Sequence, residues 1–329
     1  MEESKIEMRW NPLLEEWVLI SAKRSTRPWQ SAETCPFCPG SEETKGDWKV
    51  LTLENKYPAL SVYAPEVVNE SSLYKRAKSY GYSLVVVETR NHEGDLCTLS
   101  DEEMRLYISA LIEQTKKICS DRKIKYVYPF RNKGKDVGVS IIHPHSQIYA
   151  LPIIPRRIKK ELDSSKKYFL KHKRCLICDI LEEEKRGPRV VYENKNFLAY
   201  LPFFAQWPLE IHLTPKRHFQ RITELTEEEA LDLGEALRNI TGGYSKLYEG
   251  REISYVMAVH QAPCRRNCNY YHFHVEFYPR NREKDRIKFL AGIEIGGGTY
   301  TNDSDPELKA KEIKKAIESF ISLSKNKKT

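Results

Sequence analysis

One order of parts runs through this chain twice, and that repetition limits the possible folds more than any single motif does. In the first pass, Cys35 and Cys38 are followed by a strand over 48–58 and a β-branched strand over 82–88 that delivers His92. A capping box at Ser100 and Glu103 then opens a helix to about Asp121, and a strand over 126–132 leads to His143-Pro-His-Ser-Gln147. In the second pass, Cys175 and Cys178 come before a helix, a strand over 190–200 and a strand over 209–215 that delivers His218. Thr226 and Glu229 open the matching helix to about Leu247, and a strand over 255–260 precedes Tyr271-His-Phe-His-Val-Glu276. The pattern predicts an α+β fold of two pseudo-symmetric halves, 1–155 and 156–329, each an antiparallel sheet with packed helices. Residues 10–21 read as a strand, 156–173 as a basic helical connector, 292–300 as a glycine-rich loop and 306–323 as a final helix.

The stretch 138–152 concentrates the chemistry. It reads as a buried strand that turns through His143-Pro144-His145 into a second strand, with Pro144 fixing its own φ and biasing His143 towards extended geometry. Side chains two apart on an extended chain point the same way, which aligns His143, His145 and Gln147. Burying such a row is costly unless it has a task. A neutral imidazole is a good nucleophile towards phosphorus, so His145 is the expected nucleophile and Gln147 the donor to a phosphoryl oxygen. Gly138 and Ser140 can bring backbone and hydroxyl donors to the same phosphate, and Arg24, Arg27 and Lys288 are candidate phosphate contacts.

Cysteine spacing points to metal. Each half supplies Cys-x-x-Cys and two later histidines: Cys35, Cys38, His92 and His143, then Cys175, Cys178, His218 and His272. Soft thiolates with imidazoles suit tetrahedral, structural Zn2+, so two such sites per chain are expected, clamping strands far apart in sequence.

Composition narrows the class. The 329 residues hold 54 Lys and Arg against 46 Asp and Glu, a net charge of +8 that suits an anionic substrate. The basic residues are dispersed and locally balanced, so a zinc-ribbon nucleic-acid binder, which needs clustered Lys and Arg among exposed aromatics, fits poorly. No apolar run is long enough to span a membrane and the first residues lack the form of a signal peptide, so a cytoplasmic location is expected. In a reducing compartment, paired cysteines point to metal more often than to disulfides.

Five motifs carry a resemblance: Arg24-Ser-Thr-Arg-Pro-Trp-Gln30, Cys35-Pro-Phe-Cys38, Asn132-Lys-Gly, His143-Pro-His-Ser-Gln147 and Lys288-Phe-Leu-Ala-Gly-Ile-Glu294. On these the chain resembles the galactose-1-phosphate uridylyltransferase family of the histidine-triad superfamily, from Asn11 to about Tyr300. The resemblance implies a two-step exchange of UMP between UDP-glucose and galactose 1-phosphate through a uridylyl-histidine at His145, with Gln147 stabilising the α-phosphate. It further implies nucleotide contacts at Arg24, Arg27, Asn55, Asn132 and Ser140, hexose-phosphate contacts at Lys288 and Glu294, and a homodimer in which that last loop reaches the partner's site. A metal site of some members corresponds to Glu161, His260, His274 and a further histidine, but Glu276 stands in the fourth position here. Ser146 stands where the galactose enzymes usually have Gly and is more similar to adenylyl-moving phosphorylases. Lys56, Ile293 and Tyr300 also depart from the family pattern. An ADP-sugar or dinucleotide phosphorylase and a histidine-triad hydrolase therefore stay open as alternatives.

Overall fold

A computed structural model describes residues 5–22, 24 and 35–326. The chain opens with β1 (Ile6–Asn11) and β2 (Glu16–Ser21), followed by β3 (Leu51–Glu54), β4 (Arg76–Lys78), β5 (Tyr82–Val87), helix α1 (Asp101–Cys119), β6 (Tyr126–Lys133) and β7 (His145–Leu151). Two helices, α2 (Arg156–His172) and α3 (Leu176–Arg186), lead to β8 (Val190–Glu193), β9 (Phe197–Tyr200), β10 (Ile211–Pro215), α4 (Glu227–Leu247), β11 (Tyr255–His260) and β12 (His274–Pro279). The chain closes with β13 (Asn281–Glu283), β14 (Arg286–Ile287), α5 (Gly292–Gly297) and α6 (Pro306–Asn326).

Among the described residues, nine strands form one sheet in the order β3-β5-β7-β6-β11-β12-β10-β9-β8. The order mirrors itself about the β6–β11 junction, with β7 facing β12, β5 facing β10 and β3 facing β9. The expected half-sheets are thus joined edge to edge into one antiparallel surface, which removes the exposed edge that each would otherwise present. Residues 6–11, 16–21 and 76–78 make a separate three-stranded sheet, in which Trp10 pairs with Trp17.

One face of the large sheet is sealed by helices. Leu84, Val86, Ile148, Met257, Val275 and Phe277 point into a core completed by Tyr107 and Leu111 of α1, Leu237 and Ile240 of α4, and Ile313 of α6. Each such side chain contributes about 1.5–3 kcal/mol on burial. The capping boxes form as read: Ser100 Oγ accepts from Glu103 N at 3.2 Å, and Thr226 Oγ1 from Glu229 N at 3.2 Å. Helix α6 lies close against α4 because Gly242 and Gly243 leave room; a Cβ at Gly243 would fall 2.3 Å from Ile317 Cγ1. Strand alternation against those core residues places His145, Gln147, Asn132, His260, His274 and Glu276 on the opposite face.

Several local expectations change. Residues 138–144 are irregular, so only the second strand of the central stretch exists; Gly138 is left-handed at φ +74 and Pro144 offers no N–H to a ladder. Residues 10–21 and 190–200 each fold as two strands joined by a turn, at 12–15 and 194–196, instead of one. The glycine-rich segment 292–300 contains the short helix α5, whose Glu294 side chain accepts from Ala291 N at 3.1 Å. Cys119 and Cys264 form a disulfide that ties the end of α1 to the loop after β11, a link the cysteine spacing does not announce. No helix among the described residues is long and apolar enough to cross a membrane.

Candidate active site

His145 is the first residue of β7, and it lines a cavity of about 370 Å³. Its Nδ1 lies 2.8 Å from the carbonyl oxygen of His143. A carbonyl only accepts, so Nδ1 carries the proton and Nε2 keeps its lone pair. Burial pushes the imidazole pKa below its ordinary range, so the ring is neutral at pH 7. Phe37 packs edge-on against it, with ring centroids 5.4 Å apart. Gln147, buried on the same face, follows two residues on.

The ring of His143 turns away from this row. Its Nε2 donates to the carbonyl of Thr89 at 2.8 Å, which leaves Nδ1 unprotonated and aimed at sulfur. Cys35 Sγ is 3.6 Å and Cys38 Sγ 3.7 Å from that Nδ1, while Cys38 Sγ is 3.4 Å from His92 Nδ1. In the second half, Cys178 Sγ lies 3.4 Å from both His218 Nδ1 and His272 Nδ1, with Cys175 completing the group. Both tetrads expected from the sequence are therefore assembled, and each is a set of donors that can hold one metal ion. Cys178 sits within α3 and Cys175 caps it, so the second pair brackets a helix start.

The remaining predicted residues divide. Asn132 lines the cavity beside His145. Arg24 Nη1 donates to Tyr149 OH, two residues beyond Gln147 on the same face. Asn55 is half-buried and its Oδ1 accepts from Tyr57 N at 2.9 Å. Gly138 is exposed and Ser140 half-buried, in the irregular run that forms one wall. Arg27 lies outside the described residues. Lys288 and Glu294 come together at 3.8 Å, away from the residues lining this cavity. Lys288 is only 2% exposed and donates to the carbonyls of Gln206, at 3.1 Å, and Thr301.

Two family profiles match the chain. One described as galactose-1-phosphate uridyl transferase, N-terminal domain, matches residues 1–155, and its C-terminal counterpart matches residues 161–326. The chain belongs to the galactose-1-phosphate uridylyltransferase family. A galactose-1-phosphate uridylyltransferase from Thermotoga maritima is 36% identical over 313 residues, spanning 94% of this chain and 98% of that one. A solved structure described as a uridylyltransferase aligns with a TM-score of 0.89 at 41% identity, covering 95% of this chain and 99% of its own. An ADP-glucose phosphorylase from Arabidopsis thaliana with bound ADP-glucose aligns with a TM-score of 0.74 at 27% identity, covering 93% and 97%. Membership makes this protein an enzyme of the transferase class.

This uridylyltransferase-family chain also holds groups that the sequence reading missed. Lys133, Lys135 and Arg251 line the cavity with Asp136 and Glu252; Lys133 pairs with Glu252 and Arg251 with Asp136 at 3.2 Å, so the lining carries cations from both halves, two of them partly neutralised. Arg131 grips Glu88 through Nε at 2.8 Å and Nη2 at 2.9 Å, and both are essentially fully buried. A charged residue closing an apolar strand, as Glu88 closes 82–88, was the available signal for a buried partner. The Cys2His2 and Glu161/His260/His274 alternatives for the second half are not exclusive, since both groups exist at distinct places. Glu276 joins the latter group, with Oε1 3.4 Å from His274 Nε2 and 3.3 Å from His212 Nε2.

Proposed function

We propose that the enzyme exchanges UMP between UDP-glucose and galactose 1-phosphate through a covalent bond to His145 Nε2, as a step of galactose metabolism. The observation that carries this reading is the 2.8 Å contact from His145 Nδ1 to the His143 carbonyl, which leaves Nε2 as the unprotonated nitrogen of a residue lining a cavity that Lys133, Lys135 and Arg251 share with Asp136 and Glu252. In the first step the Nε2 lone pair forms a bond to the α-phosphorus while the bond from that phosphorus to the bridging oxygen breaks. The electron pair leaves with glucose 1-phosphate, and the imidazolium keeps its Nδ1 proton on the carbonyl. In the second step a phosphate oxygen of galactose 1-phosphate attacks the same phosphorus, the N–P pair returns to Nε2 and UDP-galactose departs. Gln147 donates to the non-bridging oxygen on which negative charge gathers.

Arg24, Arg27, Asn55, Asn132, Gly138 and Ser140 are assigned to the nucleotide and its phosphates. Lys288 and Glu294 are assigned to the hexose phosphate, in a homodimer where their loop serves the second copy. Supporting that arrangement, Phe289, Ile293 and Ile295 beside them are 70%, 51% and 74% exposed. Zinc is assigned to both Cys2His2 tetrads. Bonds of about 2.3 Å to sulfur and about 2.0 Å to nitrogen at tetrahedral angles set S and N about 3.5 Å apart, and the observed separations of 3.4, 3.6 and 3.7 Å agree. Zinc held by Cys35, Cys38, His92 and His143 would supply a cross-link, pinning His143 and Phe37 beside His145. We read 1–155 and 156–329 as the two domains and the cytoplasm as the location.

The test is incubation with UDP-glucose labelled at the α-phosphorus, quenching, and peptide mapping. Label on His145, discharged by galactose 1-phosphate, is expected, and a protein that acquires none would overturn the reading. A second reading, adenylyl transfer from an ADP-sugar, is favoured by Ser146 and by the ADP-glucose phosphorylase relative, and the same assay with ADP-glucose separates the two.

A further inference from the structure

His145 stands where its strand is weakest. It is the first residue of β7, and the preceding Pro144 has no N–H to give to a ladder. End residues of strands fray, yet a nucleophile must be held to a fraction of an ångström. One residue grips the chain on both sides of it. The backbone N–H of Glu88 donates to the carbonyl of Pro144 at 3.1 Å, and the Glu88 carboxylate accepts from Ser146 Oγ at 2.6 Å.

Proton counting fixes the direction of these bonds. The carboxylate only accepts, so the single Ser146 hydroxyl proton goes to Glu88, and Tyr107 OH, 2.9 Å away, must donate to Ser146 Oγ. Glu88 is itself immobilised. Arg131 holds both its oxygens, and Arg131 is anchored in turn by Tyr255 OH at 2.9 Å and Asp95 Oδ1 at 3.0 Å. Arg131 lies on β6 and Tyr255 on β11, so the grip on the nucleophile is referred to the junction of the two halves. Arg131 borders the cavity, but Glu88, Ser146, Tyr107 and Tyr255 are not among the residues that line it.

We propose that Glu88, acting through Ser146, is the positioning residue for His145. Taken with the covalent mechanism above, on which the proposal rests, the Glu88–Ser146 bond keeps the imidazole in line for attack on phosphorus. Ser146 is then more than a neutral replacement at the residue after the nucleophile, because its hydroxyl is the link by which the carboxylate reaches that strand.

The test compares Ser146→Ala with Tyr107→Phe. Ser146→Ala removes both hydrogen bonds of that buried hydroxyl, whereas Tyr107→Phe removes only the one it accepts and leaves the link to Glu88 in place. Single-turnover labelling of His145 from UDP-glucose or ADP-glucose, whichever labels the wild type, is expected to slow 10-fold or more in Ser146→Ala, with KM within twofold. Tyr107→Phe is expected to slow less than threefold, and Ser146→Thr to recover most of the lost rate. Melting temperatures read alongside expose any general loss of fold. Equal labelling rates in Ser146→Ala and wild type, or equal losses in Ser146→Ala and Tyr107→Phe, would overturn the proposal. Absence of label in the wild type would instead count against the covalent mechanism itself.

Discussion

Gln147 of β7 and Glu276 of β12 stand on one transverse row of the sheet: Gln147 pairs with Phe130, Phe130 with Ala258, and Ala258 with Glu276. Beside them, His145 and His274 each place Nδ1 against the carbonyl of the histidine two residues earlier, at 2.8 and 3.0 Å. One backbone plan therefore carries two chemistries. Burial opposes charge on Glu276, but His260, His212 and His274 outweigh it and hold its carboxyl well below the ordinary range. The amide of Gln147 can donate to a phosphoryl oxygen, whereas a carboxylate at that place repels one.

Gln147→Glu should therefore bring the second half's chemistry into the first. Labelling of His145 is expected to fall by about 10²–10³-fold, the usual loss when one donor to developing negative charge is removed. His145→Ala should take no label at all. Circular dichroism should be unchanged in both, and near-normal labelling in either would refute the assigned role.

The pH dependence follows from the depressed pKa of His145. A base whose pKa lies below its ordinary value stays deprotonated to lower pH, so the rate of label formation should fall on the acid side with a midpoint below the unperturbed histidine value of about 6.5. A rate that halves at or above pH 6.5 would show that burial does not govern this ring.

Metal content should be two zinc ions per chain, measured by plasma mass spectrometry on freshly purified protein. Cys38→Ser is expected to remove one ion and slow labelling of His145 at least 10-fold, because His143 and Phe37 lose their anchor. Cys178→Ser should remove the other ion and lower thermal stability, with far less effect on labelling. Equal kinetic effects from the two would contradict the distinction.

Arg131→Met leaves the Glu88 carboxylate buried without its partner. A loss of about 3–5 kcal/mol in urea-induced unfolding is expected, since breaking one side of a buried pair strands the other charge. Adding Glu88→Gln should restore part of it.

Reduction should also be visible. The Cys119–Cys264 bond closes a loop of 145 residues, and restricting the unfolded chain to that extent is worth about 5 kcal/mol in the entropic account. Cys264→Ser is expected to lower the melting temperature and to make it insensitive to dithiothreitol.

Much of the candidate site could be read from residue order alone. Repetition of Cys-x-x-Cys, a histidine-ending strand, a capped helix and His-x-His marked two related halves. The capping boxes at Ser100 and Thr226 form because their bonds span three residues and need no distant partner. The two tetrads were legible for a similar reason: soft ligands in fixed pairs leave few other tasks for those side chains.

Tertiary structure decided what depends on partners brought from far along the chain. Fusion of the half-sheets at β6 and β11 rests on edge-to-edge pairing, which no local pattern encodes. The Glu88–Arg131 pair, the Cys119–Cys264 bond and the cavity lining from Lys133 and Arg251 join residues 43, 145 and 118 positions apart in sequence. Local propensity determines which elements form, but a buried charge or thiol finds its complement only after the sheet has closed. The contacts of Glu88 with Pro144 and Ser146 on either side of His145 therefore became visible only in the folded molecule.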